Sequence, residues 1–296
     1  MRSESARLQS ARIGGLAGSN ARMKSRLYRL VIYLLLIATS ICFLIPFAWL
    51  VLSAFKTSDE IFVYPPVWWP KHWEWGNFYQ ALTTLPFARY ALNTIIIAGL
   101  NVIGNVLSCS LVAYGFARFR FPGRRILFIV LLTTMMVPSQ VLLVPQFIMF
   151  HDIGWTNSIL PLTVPAFFGS AFYVFLLRQF LMTIPLELEE AATIDGAGSL
   201  RIFFEIILPL IKPALVAVAV FAFQGAWNDF LSPLIYLNDP SKFTLQLGLT
   251  QFQGTYKTEW NLIMAASVVV MLPMLVIFFL AQKYFIEGIT MTGTKG

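Results

Sequence analysis

Residues 183–209 read TIPLELEEAATIDGAGSLRIFFEIILP, a charged and patterned segment that separates two long apolar runs. Thr183 is predicted to cap a helix that begins at Pro185, because a hydroxyl side chain at an N-cap and a proline in the first turn both favour a helix start. Carboxylates suit the positive end of a helix dipole. The early turns of this helix carry three of them, Glu187, Glu189 and Glu190.

The second half of the segment predicts another short helix. The Asp195-Gly196 pair is typical of a break, Ser199 is a candidate N-cap, and the helix over residues 200–207 is expected to stop at Pro209. Two short amphipathic helices joined at a glycine form a compact docking element. The alternative is a surface helix on lipid headgroups, which the three acidic residues disfavour beside an anionic leaflet.

The composition of the whole chain indicates a membrane protein. Of its 296 residues, 58% are apolar and only 12% are charged, and the mean hydropathy is +0.73. Soluble domains carry about a quarter charged residues, so a soluble enzyme and a disordered protein are both excluded. Cys42 and Cys109 lie in apolar runs and imply no disulfide framework.

The gaps between charged residues predict the membrane spans, since a spanning helix needs about 20 mostly apolar residues. Five gaps contain no charge, and a sixth contains only Asp229. They lie at residues 30–55, 90–117, 126–151, 153–177, 213–238 and 260–282. The sequence therefore predicts an all-α integral membrane protein with six transmembrane helices, and Pro138 and Pro145 predict a kink in the third.

The distribution of basic residues predicts the orientation. The side that holds both termini carries 16 of the 21 lysines and arginines, and the other side carries 5. Basic residues favour the cytoplasm, so both termini are expected there. The basic excess is thereby assigned to topology and anionic lipid rather than to nucleic acid. Residues 1–27 are predicted to be a disordered cytoplasmic arm.

Three motifs carry a resemblance to a known family. EAATIDG at residues 190–196, followed by IILP at 206–209, resembles the EAA motif of the membrane subunits of binding-protein-dependent ABC importers. WNDFLSPL at 227–234 resembles a signature of the carbohydrate-uptake branch, and YFIEGITMTGTKG at 284–296 resembles the tail of the MalG-like permeases. The similarity covers nearly the whole chain from about residue 28.

The resemblance implies a type I ABC importer fold, with a six-span domain at residues 28–287, a cytoplasmic coupling loop at 183–209 and a cytoplasmic tail at 288–296. The implied function is that of a permease subunit in a bacterial or archaeal plasma membrane, which forms half of the pathway for a sugar or oligosaccharide. Its implied partners are a second, MalF-like permease, two ABC ATPase subunits and an extracytoplasmic solute-binding protein. Glycerol phosphate or another polyol-like solute stays open.

The same resemblance implies the residues that couple to the ATPase. They are Glu190, Ala191, Ala192, Gly196, Leu208 and Pro209. The tail residues Gly293, Lys295 and Gly296 are further candidate contacts, for which a frayed terminus is the alternative.

Asp229 is the one acidic residue in a predicted span, where a carboxylate is costly and marks a functional site. With Trp227 and Asn228 it is a candidate for the translocation pathway or a gate. The alternative is a polar clamp between helices or an interfacial anchor.

The motif search leaves no catalytic site in this chain. It has no G-x-x-x-x-G-K-[ST] phosphate loop, no H-E-x-x-H and no G-x-S-x-G. We therefore expect no cofactor and no metal here, with ATP and Mg bound by the partner ATPases. A proton-coupled secondary transporter is the main alternative, although it needs several intramembrane ionisable residues, and an enzyme ranks third.

Overall fold

The computed structural model describes the backbone of residues 2–254 and 258–293, and the side chains of residues 28–254 and 258–283. In chain order its α-helices are α1 Arg2–Ser53, α2 Ser58–Ile61, α3 Gly76–Thr83, α4 Phe87–Arg118, α5 Arg124–Thr134, α6 Ser139–Asp152, α7 Leu160–Thr163, α8 Ala171–Leu181, α9 Glu187–Ile194, α10 Ser199–Ile202, α11 Leu208–Leu210, α12 Lys212–Trp227, α13 Leu231–Tyr236, α14 Leu245–Leu249 and α15 Trp260–Gly293. Shorter 3₁₀ segments lie at Val164–Phe168, Pro240–Lys242 and Thr250–Phe252, and a π-helical segment lies at Phe203–Ile207. Among these described residues there is no strand, only an isolated bridge between Gln253 and Thr258.

Helices long and apolar enough to cross a membrane number four in the described part of the chain, or six if each of two bent pairs is one span. The four are Tyr28–Ser53, Phe87–Arg118, Leu160–Leu181 and Trp260–Lys283. The bent pairs are α5 with α6, at 96°, and Ser199–Leu210 with α12, at 79°. The predicted all-helical, membrane-spanning architecture agrees with these helices, and the count of six stays a prediction.

The kink expected in the third span lies at Pro138. This residue precedes α6 in an extended conformation, because a proline disfavours the helical conformation before it and cannot donate to the preceding turn. Pro145 lies inside α6. The kink is therefore confirmed, and it is sharp enough to separate two helices.

Two predicted span boundaries are wrong for physical reasons. The predicted span 153–177 lies at Leu160–Leu181 in the structure. Arg178 does not end this span, because its guanidinium lies 4.2 Å from the centre of the Phe128 ring and donates to the carbonyl of Phe116 at 3.4 Å. The predicted span 213–238 is interrupted, since α12 ends at Trp227.

Two buried clusters organise the bundle around α4. The α9-end cluster joins α4, α8 and α12 to the segment 183–209 through buried side chains that include Leu177, Ala192, Phe203 and Ile207. The opposite-end cluster joins α4, α12, α14 and α15, and its centre includes Tyr90, Trp227 and Ala266. Segment 183–209 is thus packed into the bundle at one end.

The most apolar stretch of α1 is not buried within this chain, and α5 has no buried residue. Their apolar side chains are available to lipid or a partner chain. The backbone of residues 2–27 belongs to α1 and the side chains of residues 1–27 lie outside the described part, so the predicted disorder of this arm stays a prediction.

Candidate functional site

The helix α9 ends in a hydrogen-bonded turn around Gly196. The backbone N–H of Gly196 donates to the carbonyl of Thr193 at 3.0 Å, and that of Ala197 donates to Ala192 at 2.9 Å. This pair of bonds defines a Schellman motif. Gly196 has a φ of +83°, a region that strains any residue with a Cβ. The predicted break at this glycine is confirmed.

Neither predicted N-cap forms. The Thr183 hydroxyl donates instead to the carbonyl of Phe180 at 2.7 Å, next to the end of α8. As a result α9 begins at Glu187 rather than at Pro185, and no side chain caps it. The second helix begins at Ser199, with the extended residue before it in the cap position. A threonine hydroxyl can bond to a backbone group before or after it in the chain, and that of Thr183 bonds to the preceding turn rather than to α9.

The helix that starts at Ser199 also continues past Pro209, contrary to the prediction. After α10 the chain forms a π-helical segment, in which the N–H of Leu208 donates to the carbonyl of Phe203. This wider turn changes the backbone hydrogen bonds from the i→i−4 to the i→i−5 pattern just before Pro209, which has no N–H to donate. The helix axis then turns by 79° into α12.

A buried ion pair fixes α9 to the end of α4. The Nε of Arg118 donates to Oε1 of Glu189, and the two side chains are only 7% and 13% exposed. Arg118 also donates to the carbonyl of Ile184 at 3.0 Å, and the Tyr114 hydroxyl donates to Oε2 of Glu189 at 3.3 Å. Sequence reasoning missed this group, whose two charged residues are 71 positions apart.

The opposite face of α9 is free of such contacts within the described residues. Glu190 and Ala191 are exposed there, whereas Ala192 is buried in the α9-end cluster. Beyond Glu190, Ile194 is 87% exposed and Leu200 is 69% exposed. Of the other motif residues, Gly196 and Pro209 are exposed, and Leu208 packs against the cluster. The segment therefore presents apolar side chains and several carboxylates at the surface, and Glu190 is one of these exposed carboxylates.

Trp227 is a packing residue in this structure. It is 3% exposed, its ring stacks on Phe223 at 5.1 Å, and its indole N–H donates to the carbonyl of Val270 at 3.0 Å. It thus ties α12 to α15 and does not line the cavity described next.

Asn228 and Asp229 lie in the break after α12, so the expectation that Asp229 sits within a helix is wrong. Asn228 is exposed and accepts a hydrogen bond from Gln246 at 3.4 Å. Oδ1 of Asp229 accepts from the N–H of Ser232 at 3.1 Å, at the start of α13. The same carboxylate lines a cavity of about 230 Å³. The structure therefore brings Asp229, but not Trp227, to a polar cavity.

At the end of the bundle away from α9, two loops are joined by polar contacts. Oδ1 of Asn157 accepts from the backbone N–H of Asp239 at 3.1 Å, and the Lys242 ammonium donates to the Asn157 carbonyl at 2.6 Å. The Ser241 N–H, which donates to Asp239 at 2.9 Å, holds the pKa of that carboxyl below its usual 3.8.

Of the tail candidates, Lys295 and Gly296 lie outside the described residues, and only the backbone of Gly293 is described. The role of all three stays a prediction. Among the residues searched in the described part, no group of three or more His, Cys, Asp or Glu could hold a metal ion.

Comparison with known families decides the class of protein. The family described as "Binding-protein-dependent transport system inner membrane component" matches residues 104–290. The chain belongs to that family. It is a membrane permease subunit of an ABC importer, and the resemblance inferred from its three motifs is confirmed.

Individual relatives cover most of the permease. It is 34% identical over 278 residues to the diacetylchitobiose uptake system permease protein NgcG of Streptomyces coelicolor, covering 93% of this chain and 91% of that one. It is 35% identical over 245 residues to the sn-glycerol-3-phosphate transport system permease protein UgpE of Pectobacterium atrosepticum, covering 80% and 87%. A crystal structure of a bacterial ABC transporter involved in the import of the acidic polysaccharide alginate matches with a TM-score of 0.78 at 22% identity, covering 88% of this chain and 97% of that one.

The family assignment decides between the classes left open by the sequence. Its members are transport subunits of the inner membrane, so neither the secondary-transporter alternative nor the enzyme alternative describes this chain. The alginate importer shares the fold with this permease.

Proposed function

We propose that this permease forms half of the translocation pathway of an ATP-driven importer for a sugar or oligosaccharide. Relatives named for diacetylchitobiose and arabinooligosaccharide uptake support that solute class, and each covers more than nine-tenths of this chain. The relative named for glycerol-3-phosphate keeps a smaller polyol derivative as the second candidate.

The proposed topology has six spans, with the arm at 1–27, the spanning domain at 28–287 and the tail at 288–296. Counting each bent pair as one span supports the number six. The excess of basic residues on one side supports cytoplasmic termini. A second permease would complete the pathway, and a solute-binding protein would approach from outside.

Coupling to two ATPase subunits, which would bind ATP and Mg, is proposed to run through segment 183–209. The observation that carries this proposal is the division of α9 into two faces. Glu189 is held by Arg118 at the end of α4, while Glu190 on the same helix is exposed. A basic or donor group of the ATPase would bind Glu190, and Gly293, Lys295 and Gly296 would add contacts. Because α9 is tied to α4, closure of the ATPase dimer would move both together and favour one of two bundle states.

The substitution Glu190→Lys tests this assignment. It should abolish solute-stimulated ATP hydrolysis and uptake in the reconstituted importer, while the permease still inserts. Glu205→Lys is the matched control, because Glu205 lies on the same segment and is exposed, and among the described residues its side chain bonds only to Arg201 one turn away. Normal coupling in Glu190→Lys, or equal loss in both variants, would contradict the proposal.

A further inference from the structure

The cavity beside Asp229 lies near the middle of the bundle. Its walls come from four parts of the chain, α4, α6, the α7 region and α13. Asn101 of α4 is 14 positions from Phe87, about 21 Å along a helix of 32 residues that spans about 48 Å. The cavity is therefore at mid-depth of α4 and far from segment 183–209.

The polar groups around this cavity have unused hydrogen-bonding capacity. The Tyr236 hydroxyl is buried and has no hydrogen-bond partner among the described residues, and Tyr236 is only 3% exposed. The side-chain amide of Asn101 donates to the carbonyls of Ile97 and Leu162, at 2.9 and 2.7 Å. No described residue donates a hydrogen bond to its side-chain oxygen. Buried polar groups in native proteins are nearly always hydrogen-bonded. The unpartnered hydroxyl belongs to a residue that lines the cavity, so it is a hydrogen-bonding group that a ligand in this cavity would satisfy.

The remaining wall combines further polar groups with aromatic rings. Gln146, Asp229 and Ser232 line the cavity with Asn101 and Tyr236. Phe150 lines it as well, and its ring meets the Tyr236 ring edge-on at 5.5 Å. Hydroxyl, carboxamide and carboxylate groups can together donate to and accept from a ligand that carries many hydroxyls, while aromatic rings pack against its apolar faces.

The charge and size of the cavity narrow the ligand class. Asp229 is the one acidic residue among its lining residues, and no lysine or arginine is among them. Phosphate and carboxylate ligands are normally met by arginine or lysine, so an anionic solute is disfavoured. A volume of about 230 Å³ corresponds to roughly eight water molecules at about 30 Å³ each, which suits one sugar ring rather than a chain of them.

We propose that Asn101, Gln146, Asp229, Ser232 and Tyr236 form a transient subsite for one uncharged sugar ring during passage through the membrane. This inference rests on the proposed function, and it assigns solute contact to the permease itself in addition to the binding protein. It also favours a neutral sugar over glycerol phosphate as the solute.

The test uses Tyr236→Phe in the complete importer, reconstituted in proteoliposomes with its binding protein. The probes are radiolabelled neutral di- and trisaccharides and glycerol-3-phosphate. Because the Tyr236 hydroxyl bonds to no described residue, its removal should leave the melting temperature of the permease unchanged. Sugar uptake should show a KM raised about threefold to tenfold, the range expected for one lost hydrogen bond. Tyr79→Phe is the matched control, since Tyr79 is exposed on α3, and it should leave uptake unchanged.

Each outcome decides one proposal. Unchanged sugar kinetics in Tyr236→Phe and also in Asp229→Asn would overturn the subsite, as would import of glycerol-3-phosphate but of no neutral sugar by the wild type. Either result leaves the importer assignment standing. Failure of the wild type to import any probe, together with failure to stimulate the ATPase, would overturn the proposed function itself.

Discussion

The buried ion pair between Arg118 and Glu189 gives the sharpest energetic prediction. The two side chains are 7% and 13% exposed, so removing one partner leaves a nearly buried charge without its counterion. Such a loss costs about 3–5 kcal/mol, whereas replacing both partners by apolar residues is often close to neutral. We expect Arg118→Met and Glu189→Met to destabilise the permease by about 3 kcal/mol each, and the double variant to fall short of their sum by about 2–3 kcal/mol.

The measurement is a double-mutant cycle on the free energy of unfolding of the purified permease in mixed micelles. The same chain offers a matched control in Arg201 and Glu205, an i,i+4 pair whose side chains are 68% and 60% exposed. Its interaction energy should be much smaller than that of the buried pair, because exposed pairs are screened by solvent. Equal interaction energies for the two pairs would refute the conclusion that Arg118 and Glu189 anchor α9.

The cycle has a functional counterpart. If the pair transmits movement, Glu189→Met should lower solute-stimulated ATP hydrolysis and leave the basal rate of the assembled complex intact. Stimulated activity equal to wild type in a variant that is destabilised as expected would limit the pair to a structural role.

Three further predictions concern single positions. Gly196→Ala should destabilise the permease by about 1–2 kcal/mol because of the positive φ at this position. Gly198→Ala, at a φ of −74°, should be neutral or slightly stabilising in the same thermal unfolding assay. Equal effects of the two substitutions would contradict the Schellman turn at Gly196. Trp227→Phe should cost at least about 1 kcal/mol through the lost indole hydrogen bond, and Trp69→Phe, at a 68% exposed ring, should cost nothing measurable by the same assay. The folded-state pKa of Asp239 is lowered, so the carboxylate stabilises the folded permease above pH about 3.8, and this contribution is lost as the pH falls through the folded pKa. The free energy of unfolding of Asp239→Asn should therefore depend less on pH in that window. Identical pH dependence in the variant and the wild type would contradict the assignment.

The helical, membrane-spanning architecture was accessible from sequence because a span needs a long uncharged run, and such runs are visible without knowledge of packing. The predicted span ends are wrong where a charged residue lies within a helix of the bundle. Arg178 was treated as a boundary, yet its guanidinium packs on the Phe128 ring within the helical region. A charge gap therefore locates a helix but does not fix its ends.

The candidate site was predictable only in its local part. The turn at Gly196 follows from neighbouring residues and was predicted. The partners of Glu189 and the cavity around Tyr236 depend on contacts between distant helices, and those contacts leave no local pattern. Asp229 was singled out as an ionisable residue in an apolar run, whereas the Tyr236 hydroxyl beside it carries no such signal, because tyrosine is common in buried positions.

The most direct test of the central claim is photo-crosslinking from position 190 in the assembled importer in native membranes. A photoreactive amino acid at that position should form an adduct with the mass of the permease plus one ATPase subunit, and position 205 should form much less of it. Adducts with the solute-binding protein, or labelling of a cysteine at position 190 by a membrane-impermeant reagent added from outside, would contradict both the coupling assignment and the topology.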